Sequence, residues 1–240
     1  MQAKRGFLNA LGFLTVMGYA HTPDTRTFVW FPAVGALLGG LLATTWWGAG
    51  ILWSPLVAAG MVVAVDLALT GLLHVDGLAD SADGLLPHLE RDRRLEVMRR
   101  TEVGSFALGL VPLTLGLRWA GLATAPIEPL TLIALWTASR TLAALVPKLV
   151  PYARAEGLAS AFLGPDATSG WLITPWFAVS IAIGWMSADV RGVLALAVLV
   201  VFGAAVVSLA RRRIGGFTGD VLGATILIGE TAGLLTLAIV

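Results

Sequence analysis

Arg191–Leu209 reads RGVLALAVLVVFGAAVVSL, and after its first residue eighteen positions pass without a charge. Wound as an α-helix, such a run is about 28 Å long, close to the ~30 Å hydrocarbon thickness of a bilayer. It is apolar on every face, which a surface helix of a soluble domain is not. The run reads as a transmembrane helix, and six others resemble it: Phe28–Gly48, Ser54–Leu73, Ser105–Ala123, Pro129–Pro147, Trp171–Ala188 and Gly219–Val240. Gly6–Ala20 is too short to span comfortably and reads as an interfacial or re-entrant helix.

Composition agrees. Of 240 residues 57% are hydrophobic and 13% charged, with mean hydropathy +0.84, whereas soluble domains carry about 25% charged residues. The expected fold is all-α: a polytopic helical bundle of about seven transmembrane helices, forming one integral-membrane domain over residues 1–240. Without cysteine the chain has no disulfide and no thiolate metal site. Lys4 and Arg5 followed by GFLNALGFLTVMGYA superficially resemble a signal peptide. Asn9 interrupts that core and His21-Thr-Pro offers no small-x-small site, so retention is expected.

Lys and Arg give an orientation. With the N-terminus in the cytoplasm, Lys4, Arg5, Arg26, Arg91, Arg93, Arg94, Arg99, Arg100, Lys148, Arg154 and Arg211–Arg213 fall inside, and Arg191 alone falls outside. Arg118 and Arg140 lie within helices, Arg118 near an outer end where it is expected to snorkel. The basic residues are sorted by membrane side rather than gathered on one face, so no nucleic-acid partner is expected. The polar connections His74–Gly104, Lys148–Gly170 and Ala210–Gly219 all lie on the cytoplasmic side of the inner membrane. Within the first, Leu89–Met98 (LERDRRLEVM) has the spacing of an amphipathic surface helix.

That connection opens with His74–Gly84, HVDGLADSADG. At about 100° per residue, Asp76, Asp80 and Asp83 fall on one helical stripe, where like charges repel. The arrangement makes sense with a cation among them. Hard carboxylate oxygens suit Mg²⁺ or Mn²⁺, which complete their shells with water and phosphate. Gly77 and Gly84 flank the acids and permit close approach of a ligand. His74 lies off the stripe; it reads as a metal ligand, a phosphate donor or an interfacial histidine, with contact to substrate or to a residue behind the metal favoured.

Arg211-Arg-Arg-Ile-Gly-Gly-Phe-Thr-Gly-Asp220 is a glycine-rich turn entering a helix, which offers free N–H groups to a phosphate; the plainer reading is a positive anchor before a capped helix. Asp220 beside it favours the phosphate cradle. Asp66, Arg140 and Glu230 are ionisable groups at membrane depth, either paired with one another or contacting a ligand. Pro151-Tyr-Ala-Arg-Ala-Glu-Gly157 is by itself unremarkable.

Together these residues resemble the cobalamin 5′-phosphate synthase family, also called adenosylcobinamide-GDP ribazoletransferases. His74–Gly84 matches the family's HxDGxADxxDG, Phe31-Pro-Ala-Val-Gly35 its FPxxG, and Arg91–Met98 its RxRxLExM. Ser139-Arg140, Tyr152-Ala-Arg-x-Glu-Gly157 and Gly215–Ala224 follow in the expected order. Two places depart: Arg99–Gly104 exchanges the acid and base of the usual x-Asp-Ser-Arg-x-Gly, and Leu227 stands where an acid usually precedes the last glutamate.

The resemblance implies transfer of the adenosylcobinamide phosphate moiety to α-ribazole or its 5′-phosphate, with release of GMP. Asp76, Asp80 and Asp83 would hold Mg²⁺ (or Mn²⁺), and one of them or Asp220 would act as catalytic base. His74, Gly77, Gly84, Arg140, Arg154, Gly216, Thr218, Gly219 and Glu230 would contact substrate. The bilayer and the two substrates are its partners, with a homo-oligomer or other enzymes of the pathway left open. The rivals are a CDP-alcohol phosphotransferase-like enzyme, whose DGxxAR is not matched because Asp80-Ser81 stand at Ala-Arg, and a transporter using Asp66, Arg140 and Glu230.

Overall fold

A computed structural model describes residues 2–18, 26–154 and 172–239, and these are helical apart from turns and one isolated bridge, Tyr152 to Phe217. The order is α1 (Gln2–Leu14), a 3₁₀ turn (Thr27–Trp30), α2 (Phe31–Leu52), α3 (Pro55–Thr70), α4 (Leu73–Leu85) and α5 (Arg91–Val97). Then follow α6 (Ser105–Thr124), α7 (Pro129–Leu149), α8 (Pro175–Ile214) and α9 (Gly219–Leu237). Pro32, Pro55, Pro129 and Pro175 sit in first turns, where the missing N–H costs nothing.

Bilayer-type packing joins the helices through small residues. Gly35 and Gly39, one turn apart on α2, lie against the α7 backbone, and a Cβ on Gly39 would stand 2.6 Å from the Ile133 Cα. α9 is buried among α4, α6, α7 and α8 and forms the centre of the bundle. α6 presents Phe106, Leu108, Leu113, Leu117 and Trp119 outward.

Among the described residues five helices are long and apolar enough to cross a membrane, or six if the bent α3–α4 pair makes one crossing, with α8 counted once where the sequence reading expects two of its seven spans. The differences have local causes. The expected Ser54–Leu73 span stops at Thr70, because Gly71 (φ 58°) and Leu72 (φ 63°) are left-handed and close the helix with N–H bonds to Ala68 and Leu67. α4 then leaves at 86° to α3 and lies outside the five spans. The expected Trp171–Ala188 and Arg191–Leu209 are arms of the 40-residue α8, broken where Ala188 and Asp189 leave helical geometry. The Gly184 and Gly192 backbones touch across that break, so the chain doubles back. Trp171 lies outside the described residues, as do Ala20 and Val240, the expected ends of the first and last segments, and Glu156 and Gly157 of the Tyr152 motif.

Arg118 does not snorkel. It is 1% exposed and donates at 2.8 Å to both Asp66 and Glu230, with its guanidinium 4.6 Å from the Trp136 ring centre. Glu230 also pairs with Arg140 and accepts from Ser139 at 2.7 Å, and Trp136 donates to Asp66 at 2.9 Å. Two cations and two anions, all buried, thus tie α3, α6, α7 and α9 together. The position of Arg118 along its helix suggests snorkelling; the side chains it faces decide otherwise.

Candidate active site

The aspartate stretch is the helix α4, and two glycines bring it against α9. A Cβ on Gly77 would lie 2.7 Å from the Asp220 carbonyl oxygen, and one on Gly223 would lie 3.3 Å from the His74 Cα. Close contact of the two backbones sets Asp220 beside the α4 stripe. Asp76 is exposed, and Asp80, Asp83 and Asp220 are half-buried.

The four acids are not equivalent. Both Asp83 oxygens are occupied, accepting from the Gly104 N–H at 2.6 Å and the Ala107 N–H at 3.1 Å, so Asp83 caps the start of α6. Asp220 accepts from Arg154 at 2.9 Å and from the Thr218 hydroxyl at 3.1 Å. The Asp76 and Asp80 carboxylates make no hydrogen bond or ion pair among the described residues. Burial first, then the Asp220, Asp76 and Asp83 carboxylates, push Asp80 up to about 7 against the pull of Arg154. Asp80 is thus held at a point of concentrated negative potential.

The glycine turn is built as follows. Phe217 donates to Pro151 (2.9 Å) and accepts from Ala153 (2.8 Å), which docks the turn on the Tyr152–Arg154 segment. Thr218 caps α9 by accepting from Val221 at 3.3 Å. The N–H groups of Gly219 and Asp220 find no acceptor among the described residues, and a Cβ on Gly219 would meet open space. Gly216 is buried against the Pro151 carbonyl and serves packing.

Two arginines of the amphipathic segment, to which the sequence reading gives no site role, organise this end of the bundle. Arg91 donates to the Ile214 and Ala153 carbonyls, and Arg94 to those of Gly84 and Leu85. Gly84 is covered by Met98, whose carbonyl accepts from Arg154 at 3.2 Å. The RDRRLEVM spacing signalled a helix; its contacts, formed with residues as far as Ile214, carried no local signal.

His74 is 3% exposed and lies near Arg140 and Arg118 of the buried ion pairs, and its Nε2 has no partner among the described residues. Burial, then Arg140 and Arg118, hold its pKa well below the usual histidine range. Arg140 and Glu230 lie in the interior network rather than beside the aspartates, and the Arg140 Nε and Nη2 are unpartnered there. The structure therefore groups Asp76, Asp80, Asp83, Arg154, Thr218, Gly219 and Asp220 at one end, with Gly77 and Gly84 packed beneath and His74, Arg140 and Glu230 deeper. Among the described residues no three or more His, Asp or Glu side chains are placed so that they could together hold a metal ion.

A multi-pass helical bundle carrying an acid cluster beside a glycine turn at one end defines a polytopic membrane protein. The chain belongs to the cobalamin-5-phosphate synthase family, whose profile matches residues 6–238. It is 32% identical over 240 residues to the adenosylcobinamide-GDP ribazoletransferase of Roseiflexus sp. (strain RS-1), covering 96% of this chain and 88% of that one. It is 36% identical over 222 residues to that of Klebsiella pneumoniae subsp. pneumoniae (88% and 87%), and 37% over 221 residues to that of Leptothrix cholodnii (85% and 81%). No solved structure matches.

Proposed function

We propose that the chain is an adenosylcobinamide-GDP ribazoletransferase working in the late steps of cobalamin assembly. It joins the adenosylcobinamide phosphate moiety to α-ribazole or its 5′-phosphate. A ribazole hydroxyl oxygen bonds to the phosphorus bearing the corrinoid side chain, the bond from that phosphorus to the GMP oxygen breaks, and GMP leaves. A carboxylate among Asp76, Asp80, Asp83 and Asp220 takes the hydroxyl proton.

The observation carrying this reading is the backbone contact of Gly77 with Asp220, which sets Asp220 and the free Gly219–Asp220 N–H groups beside the α4 aspartates. The donor set is hard oxygen, which fits Mg²⁺ or Mn²⁺. Asp76 and Asp80 would hold the ion, with Asp220 adjacent and Asp83 orienting α4 from its α6 cap. A divalent cation bound there supplies charge neutralisation for the transferring phosphoryl group. Gly219 and Asp220 offer N–H donors to a phosphate oxygen at the positive end of α9. Arg154 balances Asp220 and adds a guanidinium for the diphosphate.

A cytoplasmic position for this end, in the inner membrane, is supported by the basic residues packed around it, Arg91, Arg94, Arg154 and Arg211–Arg213. The Asp92→Cys variant should accordingly react with an impermeant thiol reagent from the cytoplasmic side alone. The activity test is GMP release by protein purified in detergent with both substrates. Release with Mg²⁺ and none in EDTA is expected; no release under any metal condition contradicts the proposal.

A further inference from the structure

Beyond the C-terminal end of α4, on the side away from His74, lies a charged feature that the acid cluster does not use. An open cleft of about 530 Å³ separates the α4–α5 connection from the last turn of α8, lined by His88, Leu89, Glu90, Arg93, Arg94 and Arg213. Three guanidiniums and an imidazole there face one carboxylate.

The arginines are unequal. Arg94 is 3% exposed and held by Nη1 bonds of 2.9 Å to the Gly84 and Leu85 carbonyls. Two neutral acceptors fix it without neutralising it. Arg213, half-buried, makes no ion pair among the described residues, and Arg93 pairs only with the exposed Glu96, at 2.6 Å. Burial and then the proximity of Arg213 lower the Arg94 pKa, with Glu90 opposing. Arg94 and Arg213 therefore repel across an open space, a concentration of positive charge just past the C-terminal end of the helix that carries the aspartates. An anion between them relieves that repulsion, and forked guanidinium donors match the oxygens of a phosphate. A volume within the usual ~300–1,000 Å³ of ligand sites admits more than a bare phosphate.

We propose that this cleft binds the phosphate monoester of a soluble nucleotide, gripped by Arg213 and Arg93, with the positive charge of the buried Arg94 behind them. Resting on the transferase reading, the ligand is the 5′-phosphate of the acceptor. The cleft meets α4 through Arg94, which is bonded to the Gly84 and Leu85 carbonyls, immediately beyond Asp83. A nucleotide anchored at the cleft by its phosphate extends its ribose toward the acid cluster. The cleft then discriminates a phosphorylated acceptor from an unphosphorylated one.

The first arm of the test needs no turnover. Purified full-length protein in detergent and EDTA is titrated with inorganic phosphate against chloride of equal ionic strength, following thermal unfolding. Phosphate should raise the melting temperature of the wild type and of Arg213→Lys, but not of Arg213→Gln. No rise in the wild type, an equal rise in Arg213→Gln, or a rise only with phosphatidylglycerol vesicles overturns the proposal, the last assigning the cleft to lipid. In the second arm, Arg213→Gln should raise KM for α-ribazole 5′-phosphate about tenfold or more while KM for α-ribazole stays within about twofold, the scale of one lost charge-assisted contact. An equal rise for both acceptors overturns the assignment. Absence of GMP release from the wild type would defeat the transferase reading instead, and the phosphate titration would still decide the cleft.

Discussion

Gly77 stands directly against Asp220: a methyl on the glycine would lie 2.7 Å from the Asp220 carbonyl oxygen and 3.1 Å from its Cα. This contact joins two motifs that are far apart in the chain, and it is made by backbone, so no side-chain rearrangement relieves it. Gly77→Ala should force α4 from α9 at a cost of ~1–3 kcal/mol. Turnover should fall about a hundredfold from sub-ångström misplacement of the acids. Steady-state GMP release together with a melting curve checks both.

Asp80→Asn should lower turnover by orders of magnitude while the protein melts as a folded species. It should also change the pH dependence of stability. In metal-free protein Asp80 holds its proton up to about 7, well above an unfolded aspartate, so between about 4 and 7 the folded state binds more protons. This group's contribution is therefore full at low pH and lost as pH rises through that window. Melting in EDTA at pH 5 and pH 8 should show the loss, and Asp80→Asn should flatten it.

Asp83 has a structural task that the other acids lack. Asp83→Ala should cost about 0.5–2 kcal/mol through the lost α6 cap, and Asp83→Asn, which keeps an acceptor oxygen, less. Comparing melting temperatures of the two variants with the wild type checks the order.

Glu230→Gln leaves Arg140 and part of Arg118 without a counter-charge in the bundle interior. About 3–5 kcal/mol of destabilisation is expected, the usual result of removing one partner from a buried pair. Thermal unfolding in detergent measures it, and stability like that of the wild type would show the network to be hydrated.

The spans and the aspartate helix were legible because both depend on local pattern: unbroken apolar runs, and acids at helical spacing. The break in α8 was signalled by Asp189 and Arg191 between two apolar segments. The turn between α3 and α4 was less visible. Gly71 is a recognisable helix stop, yet nothing at Leu72 announces a left-handed residue. Asp83 reads as a third metal ligand until Gly104, 21 residues on, is seen to donate to it. The same limit hid Arg118, whose partners come from α3 and α9, and the Arg91 and Arg94 bonds to carbonyls. Contacts set by tertiary packing leave no period in the chain.

Divalent-cation binding to the α4 cluster is the central claim, and Mn²⁺ titration followed by electron paramagnetic resonance tests it without substrate or turnover. The wild type should bind Mn²⁺ and yield it to excess Mg²⁺, and Asp76→Asn and Asp80→Asn, melting as folded proteins, should lose that binding. Undiminished Mn²⁺ affinity in both variants, or no binding by the wild type, would contradict it.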